Sequence, residues 1–268
     1  MTRIRILTAL AAAVVLTACS KDAVQVISAP ASGAYIKFYN FGVNSPGVNF
    51  FANETKVTAV GSTACTPISD PKCTTSGIET NTGTIYSGVG NAGFYSQMPA
   101  GSYSFSGRIA TVTDNGLSIS KLTASLTDGQ YYSFYQSGFY DATNKVSDAF
   151  IVSDPFPATI DYTVAYVRFV NGIANSSPMT LYAKNTVTLA EVPVGAAAAY
   201  KSAGAFTALP AAVYDLNARL TGSSANAITR TAVSFVAGRV YTISARGDMT
   251  VVSTTATNRP FLDNTLNR

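Results

Sequence analysis

The sequence contains no histidine and no tryptophan, and charged residues make up only 12% of its 268 positions. Without an imidazole the chain cannot build a Ser-His-Asp triad, a Cys-His pair or a histidine metal site. The formal net charge is +4, and loss of residues 1–18 with their two arginines lowers it to about +2. We therefore expect no nucleic-acid partner, since such proteins carry a basic face or stripe.

The carboxylates are few, and their spacing suggests no catalytic pair. A glycosidase needs two facing carboxylates, and no two acids here are spaced to predict one. Asp148, Asp154 and Asp161 lie near a domain junction, where we expect solvated side chains rather than a calcium site. The sequence thus predicts a non-enzyme with no catalytic residue, no cofactor and no metal. A hydrolase that uses carboxylates alone is the remaining enzymatic alternative.

The first nineteen residues have the pattern of a bacterial lipoprotein signal. Two arginines precede an apolar run from Ile6 to Leu16, which is the secretory pattern. The run is about half the roughly 20 residues of a spanning helix. Leu16-Thr-Ala-Cys19 resembles the lipobox, in which lipid is attached to the cysteine. We expect a signal peptide over residues 1–18, lipidation of Cys19 and a tether over residues 19–33.

Ser20 indicates the destination of the lipoprotein. An Asp after the lipidated cysteine favours retention in the inner membrane, whereas Ser resembles the outer-membrane class. Several acyl chains on Cys19 make membrane anchoring stable. We expect the protein in the cell envelope, anchored by its N-terminal lipid to the outer membrane.

The other two cysteines, Cys65 and Cys73, enclose a short loop with two prolines. In an oxidising compartment such a pair predicts a disulfide. A zinc site is disfavoured, because it usually takes four Cys or His ligands.

Four sequence blocks recur in the same order in the two parts of the chain, which indicates an internal repeat. The paired blocks are 34–40 with 165–171, 48–52 with 179–183, 98–105 with 209–216, and 126–134 with 235–243. The first copy carries about 20 extra residues between its second and third blocks, and this insertion contains the Cys65–Cys73 loop. It is either a specialised functional loop or a decoration without a role.

Each block has the alternating pattern of a β-strand. Ile36 and Phe38 point one way, and Tyr35, Lys37 and Tyr39 point the other. Short strands separated by turn residues, without helical periodicity, predict an all-β chain of two tandem β-sandwich domains. We expect these domains over residues 34–152 and 160–255, a proline-rich boundary between them, and a loosely ordered tail over 256–268.

The repeated blocks resemble a family catalogued as domain of unknown function 4397. The resemblance rests on Ala-aromatic-Ile/Val-basic-Phe-x-Asn and on Pro-Ala-Gly-x-Tyr, and it covers both copies. It implies immunoglobulin- or transthyretin-like sandwiches on bacterial envelopes, often in tandem and lipid-anchored, and it brings no catalytic residues. The second copy departs from the pattern with Pro210-Ala-Ala212, which implies a slightly altered turn.

Four tyrosines, Tyr35, Tyr39, Tyr131 and Tyr135, point to the outer face of their strands. Such a cluster can be a contact surface for a glycan or a protein, because tyrosine combines a flat apolar body with a polar tip. Alternatively the rings pack on the other domain or on the insertion, which we favour because apolar patches are usually covered. The predicted function is a binding or scaffolding module for an envelope protein; a carbohydrate-binding or adhesive protein is the alternative.

Overall fold

The structure is a computed structural model that describes residues 32–59 and 83–268. Residues 33–268 form one compact unit, which in the described part is built from β-strands with a short 3₁₀ turn at Gly90–Gly93. The predicted all-β fold with two sandwich halves is confirmed. Among the described residues no helix has the length and apolar character needed to cross a membrane.

The first half is a sandwich of two sheets. One sheet has the order β4-β1-β8-β9, with β5 also pairing β1, and the other has the order β3-β2-β6-β7. The strands are β1 (Ala34–Asn40), β2 (Val48–Ala52), β3 (Thr55–Lys56), β4 (Gly88–Val89), β5 (Ser96–Met98), β6 (Gly101–Ile109), β7 (Ser118–Leu126), β8 (Tyr131–Asp141) and β9 (Val146–Ser153). Ile36, Phe38, Phe50, Phe105 and Phe134 fill the core between the sheets.

The second half repeats this architecture. Its sheets have the orders β13-β10-β17-β18, with β14 also pairing β10, and β12-β11-β15-β16. The strands are β10 (Val164–Asn171), β11 (Met179–Asn185), β12 (Glu191–Ala198), β13 (Ser202–Ala203), β14 (Thr207–Pro210), β15 (Ala212–Leu220), β16 (Ile228–Phe235), β17 (Val240–Arg246) and β18 (Phe261–Leu266).

The two halves also share the register of their strands, as the sequence blocks imply. In the first half β1 pairs in parallel with β8, and Tyr35 lies opposite Tyr131. In the second half β10 pairs in parallel with β17, and Tyr166 lies opposite Val240. The sequence blocks align Tyr35 with Tyr166 and Tyr131 with Val240, so the two ladders match residue for residue.

A third apolar cluster joins the two halves. It consists of Tyr39, Phe41, Tyr135 and Phe150 from the first half and Val170 from the second. These side chains alternate with the core residues of their strands, so they lie on the opposite face of the sheet. The face that would be solvated in an isolated sandwich is therefore buried against the other half.

The expectation of a loosely ordered tail over 256–268 is wrong. Residues Phe261–Leu266 form β18, which pairs antiparallel with β17 over six positions. Leu262 is fully buried in the core of the second half. The strand is the counterpart of β9, so the second half extends beyond residue 255 and needs β18 to complete its sheet.

Candidate functional site

A row of buried and half-buried polar side chains crosses the boundary between the halves. This polar seam consists of Lys37, Tyr95, Ser133, Asp154, Arg168, Thr242 and Asn267. Lys37 and Arg168 occupy equivalent positions on β1 and β10, and their exposed fractions are 1% and 0%. Alternation along each strand turns these cations away from the core of their own half and towards the other half. Because a buried charge is costly unless it is paired, each cation needs a partner there.

Arg168 finds its partner at the end of the first half. Its guanidinium forms an ion pair with Asp154, which directly follows β9. Its Nη1 donates to the carbonyl oxygen of Ser153 at 2.8 Å, and its Nε donates to Oγ1 of Thr242 at 3.0 Å. The carboxylate of Asp154 also accepts a hydrogen bond of 2.8 Å from Oγ of Ser133. These contacts satisfy much of the hydrogen-bonding capacity of both charged groups.

Lys37 finds its partner at the end of the second half. Its Nζ donates to the carbonyl oxygen of Leu266 at 3.3 Å and to Oδ1 of Asn267 at 3.2 Å. Nδ2 of Asn267 in turn donates to Oγ1 of Thr242 at 2.6 Å. The ammonium also lies 4.3 Å from the ring centre of Tyr95, a distance at which a cation is attracted to an aromatic face.

The two sets of contacts are reciprocal. The first-strand cation of each half reaches the residue that follows the last strand of the other half, together with the carbonyl before it. Tyr135 and Ser244, which are equivalent in the repeat, meet each other at 3.3 Å. Contacts of this kind define an isologous interface. The halves are thus packed as the subunits of a pseudo-symmetric dimer within one chain.

Burial dominates the proton affinities in the seam. It lowers the pKa of Lys37 to about 8, with the Asp154 carboxylate opposing this change and Arg168 reinforcing it. Burial raises the pKa of Tyr95, and the charge of Asp154, to which its hydroxyl donates at 2.6 Å, raises it further. Burial also raises the pKa of Tyr135 to about 12. The seam therefore holds an amine that loses its proton more easily than usual, and the phenols of Tyr95 and of the adjacent Tyr135 stay neutral.

The tyrosine cluster is only partly available as a contact surface. Tyr39 and Tyr135 are fully buried and stack at 4.4 Å between the halves, which corrects the expectation that they form an exposed surface. They pack on the other half, as the favoured alternative predicts. Tyr35 and Tyr131 stack at 4.6 Å and are half-buried, and Tyr131 also contacts Phe156 with ring centres 4.9 Å apart.

An open cavity of about 590 Å³ lies on the first half. Two tyrosine rings, three side-chain amides and one amine are among the groups that line it. These residues are Asn53, Lys56, Asn91, Tyr95, Gln97 and Tyr103. The cavity borders the loop after β3 and the loop before β5, between which lies the insertion of the first copy. Tyr95 contributes to both the cavity and the polar seam.

The loop before β5 has an unusual backbone. Asn91, Ala92 and Gly93 all have positive φ angles, of 51°, 54° and 85°. A left-handed conformation is unfavourable for alanine and persists only where the surroundings enforce it. Asn91 contributes to this, since its Nδ2 donates to the carbonyl of Val57 at 3.1 Å and to Oγ of Ser96 at 2.7 Å.

The carboxylates of the described residues do not gather at the cavity. Its lining contains no aspartate or glutamate, and no group of three or more Cys, Asp or Glu in the described part of the chain could hold a metal ion. Asp154, expected as a solvated boundary acid, is instead 2% exposed and paired with Arg168. Asp148 does fit that expectation, because its ion pair with Lys201 is partly exposed.

The remaining predicted sites lie outside the described residues. These are the lipidation site Cys19 and the disulfide pair Cys65 and Cys73. The polar seam itself was missed at the level of sequence. The sequence does contain one sign of it, because both copies place a basic residue between core positions of their first strand. The simpler interpretation of that residue was a polar strand face in contact with solvent.

The chain matches no model of a known protein family, and no curated protein matches it significantly. The resemblance described above therefore stays a prediction.

Proposed function

We propose that the protein is a lipid-anchored cell-envelope protein whose two repeats form a non-enzymatic binding or scaffolding module. The observation that carries this proposal is the open cavity of about 590 Å³ on the first half, where two tyrosine rings and several polar side chains converge. A fixed pair of sandwiches holds that cavity in one orientation, as a binding module requires. The signal sequence and Cys19 support attachment to the envelope, and the resemblance to the tandem-repeat family supports the same setting.

The lining of the cavity supports recognition rather than chemistry. Amides and hydroxyls can donate and accept hydrogen bonds, and Tyr95 and Tyr103 add apolar ring faces. A concave site with a few converging polar groups is typical of a binding pocket. The backbone strain at Ala92 lies in the same loop, and such strain clusters at functional sites.

The test is site-specific photo-crosslinking of the full lipoprotein in intact cells. A photoreactive amino acid replaces Phe94, which is 74% exposed in the loop between the cavity residues Asn91 and Tyr95, or Val187, which is 85% exposed on the second half. We expect one envelope protein to be captured reproducibly from position 94 and not from position 187. Equal capture from both positions, or from neither, would contradict a protein-binding module centred on the first half.

A carbohydrate-binding or adhesive protein is the second candidate. It is favoured by the side-chain amides and the two tyrosines in the cavity, because aromatic faces and amides suit sugar rings and hydroxyls. The detergent-solubilised protein would be tested on an array of envelope glycans beside the Tyr103→Ala variant. Selective binding that this variant loses while its unfolding temperature stays near the parent value would support the carbohydrate alternative.

A further inference from the structure

We propose that the side chains of Lys37 and Asn267 form an intramolecular isopeptide bond that joins the first strand of the compact unit to the end of the last. Nζ of Lys37 lies 3.2 Å from Oδ1 of Asn267, although 230 positions separate the residues in the chain. Lys37 as a whole residue is 1% exposed. Reaction between two side chains held in this way avoids the entropic cost of bringing them together.

The amine has the properties of a nucleophile. Only the neutral form of a lysine can attack, and desolvation is one of the ways in which proteins favour that form. Burial lowers the pKa of Lys37 to about 8, so about one tenth of the amines are neutral at pH 7. An exposed lysine has a pKa near 10.4 and is almost wholly protonated there.

The carboxamide is held for attack. Its Nδ2 donates to Oγ1 of Thr242 at 2.6 Å, which leaves Oδ1 turned towards the amine. The hydroxyl of Tyr95 lies 3.5 Å from the same Oδ1 and 2.6 Å from Oδ2 of Asp154. The hydroxyl has one proton, which it donates to Asp154, so the carboxamide of Asn267 is held by Thr242 and by the amine of Lys37 itself.

The reaction is balanced without a cofactor or an oxidant. The neutral amine of Lys37 adds to Cγ of Asn267, and a C–N bond forms. The bond between Cγ and Nδ2 breaks, and one proton of the attacking amine passes to the departing nitrogen. The products are a secondary amide and one molecule of ammonia.

The pseudo-symmetric contact of Arg168 with Asp154 serves as an internal comparison for that of Lys37 with Asn267. There the repeat places Arg168 and Asp154 in the positions of Lys37 and Asn267. A guanidinium remains protonated in proteins and cannot act as the nucleophile. The same geometry therefore supports a reaction between Lys37 and Asn267 but an ion pair between Arg168 and Asp154.

Peptide mapping of the full protein tests the proposal. The native lipoprotein is extracted from membranes, incubated at an alkaline pH above the pKa of Lys37, unfolded and digested with trypsin. A linked Lys37 resists cleavage, so we expect peptide 22–56 joined to peptide 247–268, with the mass of one ammonia missing from the sum. Recovery of separate peptides 22–37 and 247–268 as the main species would overturn the proposal.

Two variants show which atoms take part. Lys37→Arg keeps the charge and hydrogen-bonding capacity at position 37 but offers no nucleophile, and Asn267→Ala removes the carboxamide. We expect the joined peptide to disappear in both variants. Its persistence in Asn267→Ala would refute Asn267 as the acceptor, and this result can be read by mass whether or not the variant is less stable.

Discussion

Removal of the Asp154 carboxylate is the sharpest test of the polar seam. The Asp154→Ala variant leaves the guanidinium of Arg168 buried without its counter-ion, and it also leaves Ser133 without its acceptor. Breaking a buried pair by removing one partner costs about 3–5 kcal/mol. For a folded unit of this size each kcal/mol lowers the unfolding temperature by roughly 2–4 °C. We therefore expect the unfolding temperature to fall by about 6–20 °C.

The chain offers a matched control at the same boundary. Asp148 forms an ion pair with Lys201 across the halves, but the two side chains are 43% and 39% exposed. Exposed pairs contribute about 0–1 kcal/mol, so Asp148→Ala should lower the unfolding temperature by a few degrees at most. Thermal unfolding of the detergent-solubilised proteins, followed by circular dichroism, measures both. Equal effects of the two substitutions would refute the reasoning that burial makes the seam important.

A compensating pair of substitutions separates the missing charge partner from general damage. The double variant Asp154→Leu with Arg168→Met replaces both charges with apolar groups of similar size. Such replacements are often neutral or stabilising, so we expect most of the lost stability to return. A double variant that is less stable than Asp154→Ala would contradict the account.

Three further predictions concern packing and proton affinity. Tyr135→Ala removes a buried ring, and we expect a loss of about 3–5 kcal/mol in urea unfolding, against almost none for Tyr162→Ala, whose side chain is 80% exposed. A Cβ at Gly107 would lie 2.2 Å from Oε1 of Gln136, so Gly107→Ala should lower the free energy of unfolding by about 1–3 kcal/mol. A Cβ at Gly204 would have no atom closer than 3.8 Å, so Gly204→Ala should leave the free energy of unfolding almost unchanged. The fold raises the pKa of Tyr135 from 10.0 to about 12. The protonated phenol therefore contributes fully to the free energy of unfolding below pH 10. This contribution is lost between pH 10 and 12, at about 1.4 kcal/mol per pH unit. Tyr135→Phe should flatten this decline in unfolding free energy with pH, and an unchanged slope would contradict the assignment.

Much of the fold could be predicted from the sequence, because alternation in the repeated blocks reports directly which residues face a core. Ile36 and Phe38 were placed correctly on that basis, and the same pattern located the second copy. The pattern could not say what covers the opposite face, since Lys37 and Arg168 look like ordinary solvated residues of an edge or surface. Only the packing of one half on the other turns those cations into buried groups.

The missed strand β18 has a related cause. Phe261–Leu266 carries only a short stretch of alternation, and its counterpart β9 lies outside the four blocks that define the repeat. Its place is determined by backbone pairing with β17 over six positions, and not by the composition of its own residues. The candidate cavity was not predicted, because the insertion marks where the two copies differ but not which side chains converge beside it.

The reciprocal interface has a consequence for the history of the chain. Two identical subunits would have to place the same residue on both sides of their symmetry axis, and two tyrosines would then compete for the space that Tyr135 and Ser244 share. Fusion of the two copies into one gene removes that constraint, because each side can mutate alone. Such divergence after duplication accounts for the pairing of the large Tyr135 with the small Ser244. It also accounts for an ion pair on one side of the interface, where the other side has a lysine and an amide. A symmetric ancestor could have had two equal contacts, whereas the fused protein can assign a different chemistry to each.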